Sequence, residues 1–269
     1  MALIIIGAVL ILIGFICFWK RKQAQYQLTS IMIVRESSVI DLEEEYNEVS
    51  DGLGEGYLKQ LIGLHGKIQS PEPLLGELSQ QPCVKYRTLV TREWEEEYEE
   101  EDDEGRVVTR TRQGSDTVLH HKQEQPFYVN DGSGAIRVSP DGAKMDWELV
   151  TNRYEPMGQR GTLSLGGQVI NLLQNLSSSR QVRGYRYQEW VVPLERRVFV
   201  YGEVTDSGGE LTFQKPSDPE KPDEPYIVTF KSKSELIGST TRKIKTLLYC
   251  GVGGLVIGAG MVVVGVLQG

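Results

Sequence analysis

The residues whose types could do chemistry are few: three histidines, three cysteines, a serine between glycines and one dense run of carboxylates. His120 and His121 are adjacent, and neighbours on a strand point to opposite faces, so they do not grip one metal together. His65 is far from them in sequence. Cys17 and Cys250 fall inside apolar stretches, which leaves Cys83 alone for the polar part of the chain. One cysteine makes neither a disulfide within that part nor a Cys-rich zinc site. Ser133 sits in Asp131-Gly132-Ser133-Gly134, a hairpin-turn pattern rather than the strand-to-helix elbow that exposes a nucleophile. Gly52-x-Gly54-x-Gly56 has neither the Walker nor the dinucleotide spacing. Arg186 and Glu189 stand three apart on an expected strand and so face opposite sides, which favours a structural hydrogen-bonding role for each. Nearly every residue from Glu93 to Glu104 is acidic, but the spaced Asp/Asn and turn glycine of a Ca²⁺ loop are missing. The run reads as a solvated tip that repels itself. The residues therefore predict no catalytic site, no cofactor and no metal.

The elements that must carry these residues lie between two apolar runs. Ala2–Trp19 and Thr246–Leu267 contain no charged residue. As helices of roughly 18 and 22 residues they reach about 27 and 33 Å, close to the thickness of a bilayer's hydrocarbon layer. We expect transmembrane helices over 2–19 and 246–267, a linker over 20–35 and a soluble domain over 36–245. A secretory signal needs a basic start and small residues at its end. Here Met-Ala-Leu-Ile-Ile-Ile opens the run and Phe18-Trp19-Lys20-Arg21-Lys22 closes it, as a retained helix leaves a bilayer. Ala2 in place of glycine excludes myristoylation. The net charge of −8 comes from the acidic run, and the rest of the chain is nearly balanced. With no overall basic field, nucleic acid is not an expected partner.

Two sets of residues carry expectations about the membrane. Gly7 and Gly14 in the first run, and Cys250, Gly254 and Gly258 in the second, are small residues that let helix backbones approach. Gly251, Gly253, Gly260 and Gly265 thin the second helix further. Lys20, Arg21 and Lys22 follow the first run, and Arg242, Lys243 and Lys245 precede the second. Basic residues near a span remain cytoplasmic, so the soluble domain is expected to face the cytoplasm, with both termini on the far side.

The domain itself reads as β-rich α+β, barrel-like, with short strands and two brief helices. Ser38 with Asp41 is a shortened capping box, followed by Val39, Leu42, Tyr46 and Val49 at helical spacing and Gly52 as a stop. The second helix is expected over Val169–Leu176. Strands are expected at Leu61–Ile68, Cys83–Arg92, Arg106–Arg112, Phe127–Val129, Ala135–Val138, Gly184–Pro193, Val198–Thr205 and Tyr226–Phe230. The acidic block 93–104 becomes a hairpin tip, and the Pro-rich stretch 214–225 a solvated, mobile loop.

Three segments in this order carry a resemblance: Pro82-Cys83-Val84-Lys85-Tyr86-Arg87; Pro126-Phe127-Tyr128-Val129 with Asp131-Gly132-Ser133-Gly134; and Gly184-Tyr185-Arg186-Tyr187-Gln188-Glu189 followed by Val200-Tyr201-Gly202-Glu203. Between two membrane helices they resemble the GIDE, or "beside a membrane", domain of the mitochondrial outer-membrane ubiquitin ligase family, which has similar bacterial proteins. The resemblance covers most of residues 36–240 and both anchors. The eukaryotic members carry a RING finger after the second helix, whose two zinc ions need about eight Cys and His ligands. This sequence reaches Gly269 with three cysteines and three histidines, so ligase activity is not carried over with the resemblance. The expected function is a non-enzymatic two-pass membrane scaffold or interaction domain with protein partners, forming a homo-oligomer in one version. The alternatives are a ligase-family subunit and a ligand or lipid sensor. The mitochondrial relatives hold this domain in the intermembrane space, opposite to the side that the charges predict. The charges are followed for a chain inserted into a bacterial-type inner membrane.

Overall fold

The computed structural model describes residues 2–54, 56–102, 104–156, 162–165, 168–171, 180–207 and 209–267. In chain order the elements are α1 (Ala2–Ile33), β1 (Arg35–Glu36), α2 (Val39–Leu53), β2 (Lys59–Gln69), β3 (Leu74–Leu75), β4 (Pro82–Glu101), β5 (Val107–Glu124), β6 (Phe127–Asn130), β7 (Ala135–Val138), β8 (Lys144–Met145), β9 (Glu148–Pro156), β10 (Thr162–Leu165), β11 (Gln168–Asn171), β12 (Arg180–Pro193), β13 (Arg197–Thr205), β14 (Thr212–Gln214), β15 (Ile227–Thr229) and α3 (Lys233–Leu267). Contacts divide them into two compact units. The first takes the chain up to Lys67, Val129–Lys144 and everything from Arg197; the second takes Ile68–Tyr128 and Met145–Arg196.

The first unit is built on a closed barrel. β2, β6, β7, β14 and β13 are hydrogen-bonded in that order, and β13 returns to β2. The closing ladder is antiparallel, from Arg197 opposite Lys67 to Thr205 opposite Lys59, and one pair, β7 with β14, is parallel. Closure leaves these five strands with no open edge between them. Their alternate apolar residues fill the interior: Ile62, Leu64, Val129, Ile136, Val138, Val200, Val204 and Phe213 are buried. β13 is buried along nearly its whole length. Its other face is covered too, because Ile31, Val34, Leu236 and Ile237 at the ends of the long helices pack on Phe199, Tyr201 and Ile227.

The second unit is a long antiparallel sheet. β4 pairs with β5 from Lys85 opposite Glu124 to Glu101 opposite Val107. β12 pairs with β4 on its other side and with β9 beyond. Val90, Val182, Tyr185 and Tyr187 form one core cluster, and Cys83, Tyr86 and Val191 another. Arginines lie over aromatic rings along the sheet, with Arg87 4.2 Å from the Trp190 centroid and Arg180 4.1 Å from that of Trp94.

Four expectations change. The acidic block is no loose tip: most of it is strand, and arginines hold it. Arg186 meets Glu93 at 2.9 Å, Arg112 meets Glu96 at 2.7 Å, and Arg110 meets Glu100 at 2.9 Å. The chain reverses beyond Glu101, where Asp102 N–H donates to Arg106 O and Gly105 N–H to Asp102 O; Gly105 takes φ +77°, a conformation that glycine adopts without strain. Val169–Asn171 is strand rather than helix, since Gln168–Asn171 pairs with Thr162–Leu165; Leu172–Leu176 lies outside the described residues. The polar exit from the first apolar run is itself helical, as α1 continues to Ile33. Finally, the stretch 214–225 is tied down at both ends, with Pro216, Glu224 and Pro225 buried.

Candidate functional site: the paired helices and their clamps

α1 and α3 pack against one another within the first unit. Glycines from both helices lie in this contact. A methyl on Gly7 would lie 2.7 Å from the Gly258 carbonyl oxygen, and one on Gly258 would lie 2.7 Å from that of Gly7. A methyl on Gly14 would lie 3.1 Å from the Gly251 oxygen, and one on Gly254 would lie 3.0 Å from that of Leu10. At Gly7 and Gly258 a side chain would meet backbone and force the helices apart; at Gly14 and Gly254 the neighbours would have to give by a few tenths of an ångström. Cys250, expected on this stripe, is exposed. Gly251 takes its place against Phe18, while Gly253 and Gly260 have open space around them. The outer surfaces are apolar: Ile5, Leu12, Phe15, Val256, Ile257 and Val263 are all exposed. Only 11% and 17% of the most apolar stretches of the two helices is buried, and both helices are long and apolar enough to cross a bilayer. A core helix of a water-soluble protein would bury most of that surface. The six expected topology residues lie on these helices too; Lys20, Lys22, Arg242, Lys243 and Lys245 are exposed, and Arg21 is half-buried.

The hairpin Asp131-Gly132-Ser133-Gly134 proves to be a helix clamp. α2 begins with the expected capping box between Ser38 and Asp41. Its next free amides go to the distant hairpin: Val39 N–H donates to Asp131 Oδ2 at 2.8 Å, and Ile40 N–H donates to Ser133 Oγ at 3.2 Å. Asp131 Oδ1 accepts from the amides of Ser133 and Gly134 and from the Ser133 hydroxyl. Burial opposes the Asp131 charge, but these hydrogen bonds outweigh it and hold the carboxyl below the usual carboxylate range. Gly134 lets Val39 approach; a methyl there would lie 2.7 Å from its Cγ1. The Gly52–Gly56 run has a terminating role as well. Gly54 caps α2 through its N–H to Ser50 O, and Gly56 N–H donates to Asp206 Oδ2 at 2.8 Å.

A third clamp escaped the sequence reading. The buried Glu224 carboxylate accepts from Tyr26 on α1 at 2.6 Å and from Tyr201 on β13. It fastens the Pro-rich stretch to the first helix and the barrel. Burial, followed by the Glu224 contact, pushes the Tyr201 phenol far up, so it stays a donor. Nothing in the spacing of Glu224 distinguishes it from the exposed acids beside it.

In the second unit, Glu189 is fully buried. It accepts from Leu78 N–H at 2.8 Å, Ser79 N–H at 2.9 Å and Thr88 Oγ1 at 3.1 Å, while Arg186 turns to Glu93. Both make structural hydrogen bonds. His121 Nδ1 lies 2.6 Å from Glu77, His65 lies 3.5 Å from Glu36, and His120 is exposed. Cys83 is buried in β4, and that burial raises its thiol to about 11, which disfavours the thiolate that attacks or binds zinc. Among the described residues no three His, Cys, Asp or Glu side chains converge on a metal position. The zinc sites of a RING finger therefore do not fit the residues present here.

A sequence model of the GIDE family, described as E3 Ubiquitin ligase, matches residues 95–265. The chain belongs to the GIDE family. No curated protein and no solved structure matches it. The GIDE match takes in the Asp131 clamp, Glu189, Glu224 and the glycines of α3; α1 and Ser38 precede it.

Proposed function

We propose that this GIDE protein is a two-pass membrane scaffold. α1 and α3 insert as a pair locked by Gly7, Gly14, Gly254 and Gly258, and the β-rich part sits at the membrane surface to organise protein partners or further copies of the chain. The observation that supports this reading best is the combination of a glycine-lined contact between two helices with an apolar outer surface left uncovered. In lipid, small residues and close packing replace the hydrophobic drive between helices. The basic clusters Lys20–Lys22 and Arg242–Lys245 favour a cytoplasmic position for the soluble part. Extraction of expressing membranes with alkaline carbonate tests the anchor: the chain should remain in the pellet, and release into the supernatant would sink the reading.

The family match favours a second reading, a subunit of a ubiquitin-ligase assembly. These residues offer three cysteines and three histidines, and the one cysteine outside the apolar helices is buried. The chain purified alone should transfer no ubiquitin from a charged conjugating enzyme and should hold less than stoichiometric zinc by elemental analysis. Ubiquitin transfer by the isolated chain would establish the ligase reading instead.

A further inference from the structure

At the polar end of the helix pair, within the first unit, a cavity of about 770 Å³ opens beside Trp19. Its volume suits a small-molecule site. Five lysines from four parts of the chain line it: Lys20 and Lys22 from α1, Lys144 from β8, Lys221 from the Pro-rich stretch and Lys243 from α3. None of the five ion-pairs with a carboxylate among the described residues, whereas Lys59, Lys85, Lys122 and Lys233 each do. Glu220 and Asp223 also line the cavity, so positive charge is in excess. The neighbouring Glu224 is already engaged by its two tyrosines. Five ammonium groups gathered in one concavity without partners repel each other, and an anion there relieves that cost.

The surroundings indicate what kind of anion. Trp19 is 61% exposed at the rim, and Leu12 and Phe15 are 61% and 62% exposed further along α1. Tryptophan at the end of an apolar helix marks headgroup level, and the uncovered aliphatic surface beyond it suits acyl chains. Basic pockets at such a place suit anionic headgroups. We propose that this cavity binds the headgroup of an anionic phospholipid, with the phosphate among Lys22, Lys144, Lys221 and Lys243 and the acyl chains along Phe15 and Trp19. The proposal rests on the membrane-inserted reading and deepens it. A bound headgroup would join both helices to the Pro-rich stretch and β8 through one ligand.

The full chain, purified in a neutral maltoside detergent, tests it. Dihexanoyl phosphatidylglycerol should bind at least about tenfold tighter than dihexanoyl phosphatidylcholine, read by titration calorimetry. The double variant Lys144→Gln/Lys221→Gln leaves the helix charges intact and should lose about tenfold or more in phosphatidylglycerol affinity. Lys144→Arg/Lys221→Arg should retain binding, as should Lys215→Gln, which lies outside the cavity. Equal affinity for the two lipids, unchanged binding by the glutamine variant, or loss of binding by the arginine variant would overturn the site. Glycerol 3-phosphate or inorganic phosphate binding as tightly as the lipid would overturn the lipid assignment in favour of a soluble phosphate. Carbonate extraction of membranes is independent of all these arms, so a failed anchor and a failed headgroup site give different results.

Discussion

At the residue scale, Asp131 accepts four hydrogen bonds. It serves the hairpin that carries it and a helix 92 residues earlier in sequence. Asp131→Ala removes an acceptor from a half-buried set of amides, and we expect a loss of about 1–3 kcal/mol in unfolding free energy by denaturant titration. The pH dependence has a definite sign. The folded-state pKa is lowered, so the stabilisation is fully present above the unfolded value of about 3.9 and is lost as pH falls through the lower folded value. The stability gap between wild type and Asp131→Asn should be constant above about pH 5 and should narrow in acid. A gap that does not depend on pH would show that the carboxylate charge is not what holds α2. Ser38 and Asp41 announce their role locally, within four residues. Asp131 announces only a turn, because the amides it serves are brought to it by the fold.

At the element scale, two corrections share a cause: a short-range pattern does not contain its cross-strand partners. Glu93–Glu104 looks self-repelling when read alone. Arg106 pairs locally with Asp102 and Glu104 in the turn, but the other neutralising arginines stand on the return strand at 110 and 112 and on β12 at 180, 183 and 186, and only the strand pairing brings them alongside. Glu96 has a side chain just 10% exposed and sits between Arg112 at 2.7 Å and Arg180 at 3.5 Å, while Glu99 is exposed. Removing one partner of a shielded pair is costly, and exposed charges matter little. Glu96→Ala should therefore destabilise by about 1–3 kcal/mol and Glu99→Ala by about 0.5 or less, compared in one denaturant series. Equal effects would mean that the arginine cage contributes nothing. Val169–Asn171 likewise has an apolar run too short to distinguish helix from strand, and pairing with Thr162–Leu165 decides it. Elements with a complete local signal, such as the capped α2 and the alternating β2, are legible down to a few residues, whereas β4 is legible in its first half only and runs on to Glu101 through the acidic block. The four-residue spacing picks out Gly254 and Gly258, which lie in the contact, but at the next turn it picks out the exposed Cys250 where packing uses Gly251. This packing gives a matched test. Gly258→Leu pushes a side chain into the Gly7 backbone, whereas Gly260→Leu points into open space. The first should cost about 1–3 kcal/mol of stability in detergent and the second close to nothing, and similar melting temperatures for both would sink the close-packed pair.

At the scale of the whole molecule, the two ends of the chain meet in one helix pair, and the apolar lengths at those ends were the plainest signal in the sequence. The closed barrel was legible only as a class. Its closing contact joins residues near 60 to residues near 200, and no local pattern encodes which strands meet. Orientation is where charge and kinship disagree. The positive residues beside the two apolar helices favour a cytoplasmic soluble part, whereas the resemblance to the mitochondrial ligase family implies the opposite side. Thiol labelling distinguishes the two. Cys83 is buried with a raised thiol pKa, so it can stay in place without reacting. With Cys17→Ala and Cys250→Ala as background, Glu99→Cys offers one exposed thiol on the acidic strand. A membrane-impermeant maleimide applied to intact spheroplasts should leave it unlabelled, and lysis should expose it fully. Complete labelling before lysis would put the soluble part outside and show that the six basic residues do not set the topology. In that case Lys20→Gln/Lys22→Gln should leave the labelling unchanged, whereas under the cytoplasmic reading the same pair should raise the fraction labelled before lysis.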